Sequence, residues 1–130
     1  MRPFDHERME VYRVALGFVR SANVLRGTIG VGRSALADQL DRASVSIALN
    51  IAEGAGEFAR REKARFYRMA RRSATECAAI LDVARELGLA REDELHGPRG
   101  ELRTIVAMLI GLVKHVERPE PKPQPQPSEA

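Results

Sequence analysis

The 130-residue sequence has no tryptophan, one cysteine and only 5% aromatic residues. A lone cysteine, Cys77, closes no internal disulfide, so stability has to come from packing. Its place on a helix face with Phe66, Ala70 and Leu81 marks it as a small buried hydrophobe. Proline is absent between Pro3 and Pro98, and no run alternates apolar and polar residues long enough for a strand. No apolar stretch reaches the roughly 20 residues of a membrane span. The N-terminal MRPFDHERMEV lacks the apolar centre of a signal peptide, so a cytoplasmic protein without a membrane role is expected. His6, His96 and His115 are scattered, with no second cysteine and no paired Glu-x-x-His spacing, which argues against zinc and di-metal sites. Ser44, Ser46 and Ser73 have no histidine in register. No enzymatic activity, catalytic residue, metal or cofactor is therefore expected.

Helix formers dominate what remains. With 44% hydrophobic residues the chain can bury one core but not two. The expected organisation is one all-α domain over residues 1–118, followed by a tail over 119–130. In that tail RPEPKPQPQPSEA alternates proline with polar residues and reads as extended and disordered. The formal charge of +3 permits a polyanionic partner without demanding one.

The pattern divides into four helices. Asp5 is the expected N-cap of the first, which should run to about Leu25 and bury Val11, Val14, Ala15, Phe18, Ala22 and Leu25. A second stripe on this helix, Met9, Tyr12, Leu16 and Val19, exceeds the needs of one core. Residues 27–34 nearly spell the phosphate-loop pattern GxxxxGK[ST]. Arg33 replaces the lysine, however, and a helix rather than a strand precedes it, so a turn with glycines at positive φ is the expectation.

The second helix, Ser34 to Gly56, has almost no ordinary water-facing side. Leu36, Leu40, Ala43, Ile47 and Ile51 fall on one face, and Val45, Ala48, Leu49 and Ala52 cover much of the opposite one. A polar seam of Gln39, Arg42, Ser46, Asn50 and Glu53 runs between them. A helix apolar on two faces needs two partners: either neighbouring helices of one bundle, which would also satisfy the seam, or one partner inside the subunit and another subunit outside it, with the seam fixing their register. Gly54 or Gly56 is expected to close the helix in the left-handed conformation.

The third helix should span about Arg60 to Leu87, burying Phe66, Met69, Ala70, Ser73, Cys77, Ile80, Leu81 and Ala84, with Gly88 as its cap. It also carries Arg60, Arg61, Lys63, Arg65, Arg68, Arg71 and Arg72. Of these, Arg61, Arg65, Arg68 and Arg72 form one file at i, i+4, i+7 and i+11. Guanidinium groups bind phosphate bidentately, so the file is a candidate nucleic-acid surface; a solvated face balanced by Glu57, Glu62 and Glu76 is the alternative. In the fourth helix His96-Gly97-Pro98-Arg99-Gly100 should delay the start to Glu101, leaving Leu102, Ile105, Val106, Leu109, Leu112, Val113 and Val116 on one face.

The segment DQLDRASVSIALNIAEGAG, with Arg65-Phe66 and Ser73-Ala74-Thr75-Glu76 beyond it, closely resembles a family of small bacterial proteins. These are the four-helix bundles named after intervening sequences in large-subunit ribosomal RNA genes. The resemblance runs from about Phe4 to Val113 and is looser to the accessory proteins of diversity-generating retroelements. It implies an antiparallel up-and-down four-helix bundle assembling into a homopentameric ring, with an aromatic at Tyr12 as an anchor. It also implies Arg65 and Glu76 as structural ion-pair partners of Glu53 or Arg42. Two functions are expected from this: an oligomer that binds RNA or DNA through the third helix, with Arg13, Arg20 and Arg33 assisting, or a structural ring serving a protein partner. Met9, Tyr12, Leu16, Val45 and Leu49 are the candidate subunit contacts.

Overall fold

The computed structural model describes residues 3–119, so Met1, Arg2 and all of the expected 119–130 tail except Pro119 lie outside the described residues. A short 3-10 turn, Asp5–Arg8, precedes four helices: α1 (Glu10–Gly30), α2 (Ser34–Gly56), α3 (Arg60–Glu86) and α4 (Glu92–Glu117). Connections of three to five residues force successive helices to run antiparallel. Each helix packs on its neighbours in sequence and α1 closes on α4, which gives the expected up-and-down bundle.

The core is layered from the inner faces of all four helices. Phe18 and Ile29 from α1, Leu40, Ile47 and Ile51 from α2, Leu81 from α3, and Leu95, Ile105 and Leu109 from α4 are fully buried. Burying each such side chain contributes about 1.5–3 kcal/mol before conformational entropy is subtracted. Between these large groups, Ala15, Ala22, Ala70, Ala74 and Ala84 allow the helices close approach. Cys77 is fully buried among them, and desolvation, helped by the neighbouring Glu76 charge, pushes its thiol from near 9 up to about 12. A thiol reagent at pH 8 should therefore leave the native protein unmodified and react within minutes once denaturant is added. Rapid native labelling would contradict this packing. The same shift makes stability fall as pH rises from about 9 toward 12, because the unfolded thiol ionises there and the folded one does not.

Helix boundaries differ from the expectations at four places. Asp5 does not cap α1: it lies in the 3-10 turn, Met9 occupies the N-cap position without a side-chain bond, and the helix continues past Leu25 to Gly30. The glycine-rich link is correspondingly short. Gly27 and Gly30 are helical, only Val31, Gly32 and Arg33 connect, and no glycine there has positive φ. A Cβ on Gly32 would stand 2.7 Å from Leu89 Cδ2, the tip of a half-buried side chain that can turn aside. Neither Gly54 nor Gly56 is left-handed. Gly54 is buried under Tyr67, whose ring carbons would lie 2.6 and 2.8 Å from an added Cβ.

The fourth difference is α4, which begins at Glu92 and passes through Pro98. Glu92, Asp93 and Glu94 favour the positive end of the helix dipole, and Glu94 Oε1 accepts the Arg91 backbone N–H at 2.9 Å. Leu95 is fully buried and Arg99 donates to the exposed Asp82 of α3 at 2.6 Å, so one side of the proline is tied to the core and the other to α3 at the surface. Pro98 removes one donor from this turn, and those anchors outweigh it. Gly88, by contrast, caps α3 as expected. At φ +69° it lets Leu89 N–H reach Ala84 O at 2.8 Å and its own N–H reach Arg85 O at 3.0 Å.

Candidate nucleic-acid interface

The inner face of α3 is rotated from the expected one in its first half. Ala64 and Tyr67 are buried, whereas Met69 is exposed and Phe66 and Ser73 are half-buried toward α2. Tyr67 carries its hydroxyl inward toward Met9 Sδ, at 3.9 Å, and burial pushes the phenol pKa up, with Asp5 adding to the rise. An i, i+3, i+4 count does not single out Tyr67, because it fits Phe66 and Met69 as well. What selects Tyr67 is the gap left by Gly54.

This rotation places the arginine file on the outward face of α3. Arg61, Arg65, Arg68 and Arg72 are all exposed along it. Arg65 donates to Glu62 at 2.9 and 3.1 Å and lies over the Phe66 ring, 4.7 Å from its centroid. It therefore pairs within its own helix and not with Glu53. Arg68 pairs with Glu117 at the end of α4. Arg61 and Arg72 make no ion pair among the described residues, and Arg71, next to Arg72, is half-buried.

The other two basic groups have structural work. Lys63 donates to the carbonyls of Gly54 and Ala55 at 2.7 and 3.1 Å, capping the C-terminus of α2, and sits 5.8 Å from the Tyr67 ring centroid. Arg60 donates to the Arg118 carbonyl at the end of α4. A shallow cleft between the start of α3 and the end of α4 is lined by Arg60, Arg61, Arg68, Glu117 and Arg118. Arg118 and the cleft lay hidden in the sequence because 58 residues separate Arg60 from Arg118.

The seam of α2 divides in two. Ser46 and Asn50 are half-buried: Asn50 Nδ2 donates to the Ser46 carbonyl at 2.9 Å and contacts its hydroxyl at 3.0 Å, and that hydroxyl pairs with Ser73 at 3.0 Å. Gln39, Arg42 and Glu53 are exposed. The candidate subunit contacts divide likewise. Leu16, Val45 and Leu49 are exposed by 37%, 38% and 61%, on the outward side of α1 and α2. Tyr12 is half-buried and met edge-on by His6, whereas Met9 packs toward α4 beside Met108 and Leu112, away from that patch. Among the described residues no cluster of His, Cys, Asp or Glu could hold a metal ion, and no helix is long and apolar enough to cross a membrane.

The fold is shared with a crystal structure of a protein with unknown function from the S23 ribosomal protein family of Bacteroides thetaiotaomicron. It aligns with a TM-score of 0.75 at 19% identity, over 80% of this chain and 98% of that one. At that identity the likeness speaks for the fold alone. No curated protein matches significantly. The family model described as 23S rRNA-intervening sequence protein matches residues 7–111, the span that contains all of α1, α2 and α3 and most of α4. The chain belongs to the 23S rRNA-intervening sequence protein family.

Proposed function

We propose that this protein is a non-enzymatic, cytoplasmic homo-oligomer that binds RNA or DNA through the outward face of α3. The observation that carries the reading is the arginine file. Four guanidinium groups stand on one helix face, and the two at its upper and lower positions, Arg61 and Arg72, have no acidic partner among the described residues. Exposed arginines spaced by helical turns suit successive phosphates, and each contact releases condensed counterions. Arg65 and Arg68 are held by Glu62 and Glu117, but these pairs are solvent-exposed and screened, so a phosphate can replace the carboxylate. The exposed Leu16, Val45 and Leu49 support self-association, and a pentamer is the number the family resemblance implies.

The alternative, a structural ring serving a protein partner, draws on the same two ion pairs as marks of an ordinary solvated face. Gel shift with a structured RNA and a duplex DNA at low salt separates the two. Retarded complexes that dissolve as salt rises are expected; no shift with either probe would leave the structural ring.

A further inference from the structure

The connection between α2 and α3 is three residues long, Glu57, Phe58 and Ala59, and Phe58 is 100% exposed. This is the most complete exposure of any large apolar side chain among the described residues. The helix ends on either side of this loop are fixed. Lys63 reaches back to the Gly54 and Ala55 carbonyls on one side, and Arg60 reaches the Arg118 carbonyl on the other. A short loop between two fixed helix ends thus carries a bare aromatic ring two and three residues before Arg60 and Arg61, both of which line the cleft that Arg118 completes. Glu62 and Glu117 hold Arg65 and Arg68, and Arg61 makes no ion pair among the described residues. Exposed aromatic surface edged by guanidinium groups is the combination that receives an unpaired base together with its phosphate.

We infer that Phe58 is a stacking platform for an unpaired nucleobase, so that the protein prefers single-stranded or looped nucleic acid over continuous duplex. The inference rests on the nucleic-acid reading above and adds a contact outside the arginine file. A duplex offers its phosphates to Arg61 and Arg72 but keeps its bases stacked away from the ring. A looped strand offers both. Glu57, immediately before Phe58, and the polar outward face of α3 argue against a lipid surface, which would require further apolar groups beside the ring.

Phe58→Ala and Phe58→Trp test this against a fluorescein-labelled 15-nucleotide uridine strand and a blunt 15-base-pair RNA duplex. Phe58→Ala should weaken binding of the single strand roughly ten-fold and leave the duplex within two-fold, with the salt slope unchanged because no charge is lost. Because the chain has no tryptophan of its own, Phe58→Trp supplies a lone reporter whose emission the uridine strand should quench. If the parent binds the probes and Phe58→Ala binds both equally well, the platform is overturned while the arginine reading stands. If the parent binds neither at low salt, both fall. A change in oligomer size with Phe58→Ala, or a response of Phe58→Trp to anionic vesicles and not to the strand, would assign the ring to a subunit contact or a membrane and overturn the inference.

Discussion

Replacing Gly54 with alanine should cost about 1–3 kcal/mol of stability and lower Tm by about 5–15 °C, although alanine is the better helix former. The reason is steric. The new Cβ would lie 2.6 and 2.8 Å from two ring carbons of Tyr67 and 3.2 Å from Phe66 Cβ, well inside contact distance. The Tyr67 ring is not a flexible tip that can swing away: it is 3% exposed, its hydroxyl faces Met9, and Lys63 lies over it. Relief would have to come from moving α3 off α2, and that opens the core around Ile51 and Ala70. Gly56→Ala is the matched control, since its Cβ would meet nothing within 4 Å, and it should be neutral or slightly stabilising. Thermal unfolding followed by circular dichroism decides the matter, and equal Tm values for the two variants would show that the α2–α3 contact is looser than described.

Leu49→Glu should convert the oligomer to a monomer while leaving the bundle folded. Leu49 is 61% exposed in the isolated subunit, so the substitution there should cost within about 0.5 kcal/mol, and glutamate suits a helix about as well as leucine. In an assembly that covers the patch of Leu16, Val45 and Leu49, each subunit would instead bury an unpaired carboxylate. That costs several kcal/mol per contact, and every 1.4 kcal/mol is ten-fold in the association constant. Light scattering at micromolar concentration should show a multiple of the 14.4 kDa chain for the parent and a single chain for the variant. A monomeric parent, or a variant of unchanged size, would mean that this patch is not the subunit contact.

The four-helix order could be read from the chain because apolar spacing is a local property. The inner faces of α2 and α4 and the burial of Cys77 all follow from counting three and four residues ahead. What could not be read depended on distant partners. A glycine in sequence signals backbone freedom, yet Gly54 is needed for the space it leaves to Tyr67. Pro98 was weighed as a breaker, yet Leu95 and the Arg99–Asp82 pair hold the turns on either side of it. In the candidate site the arginine file was visible as a spacing, but its partners were not. Glu117 lies 49 positions from Arg68, Lys63 turned inward to the end of α2, and Phe58 drew no notice because one phenylalanine in a loop carries no periodic signal.

The central claim, that the outward arginines of α3 contact phosphate, is tested most directly by the salt dependence of binding. Arg61→Gln, Arg68→Gln and Arg72→Gln are combined in one chain and compared with the parent. All three side chains are exposed and Arg68 loses only a surface pair, so fold and oligomer size should survive and binding can be read without an unfolding artefact. The slope of log affinity against log salt should flatten by about 0.9 for each lost contact on duplex DNA, or about 0.7 on a single strand, multiplied by the number of subunits engaged. An unchanged slope would contradict the claim and leave the arginine file a solvated face.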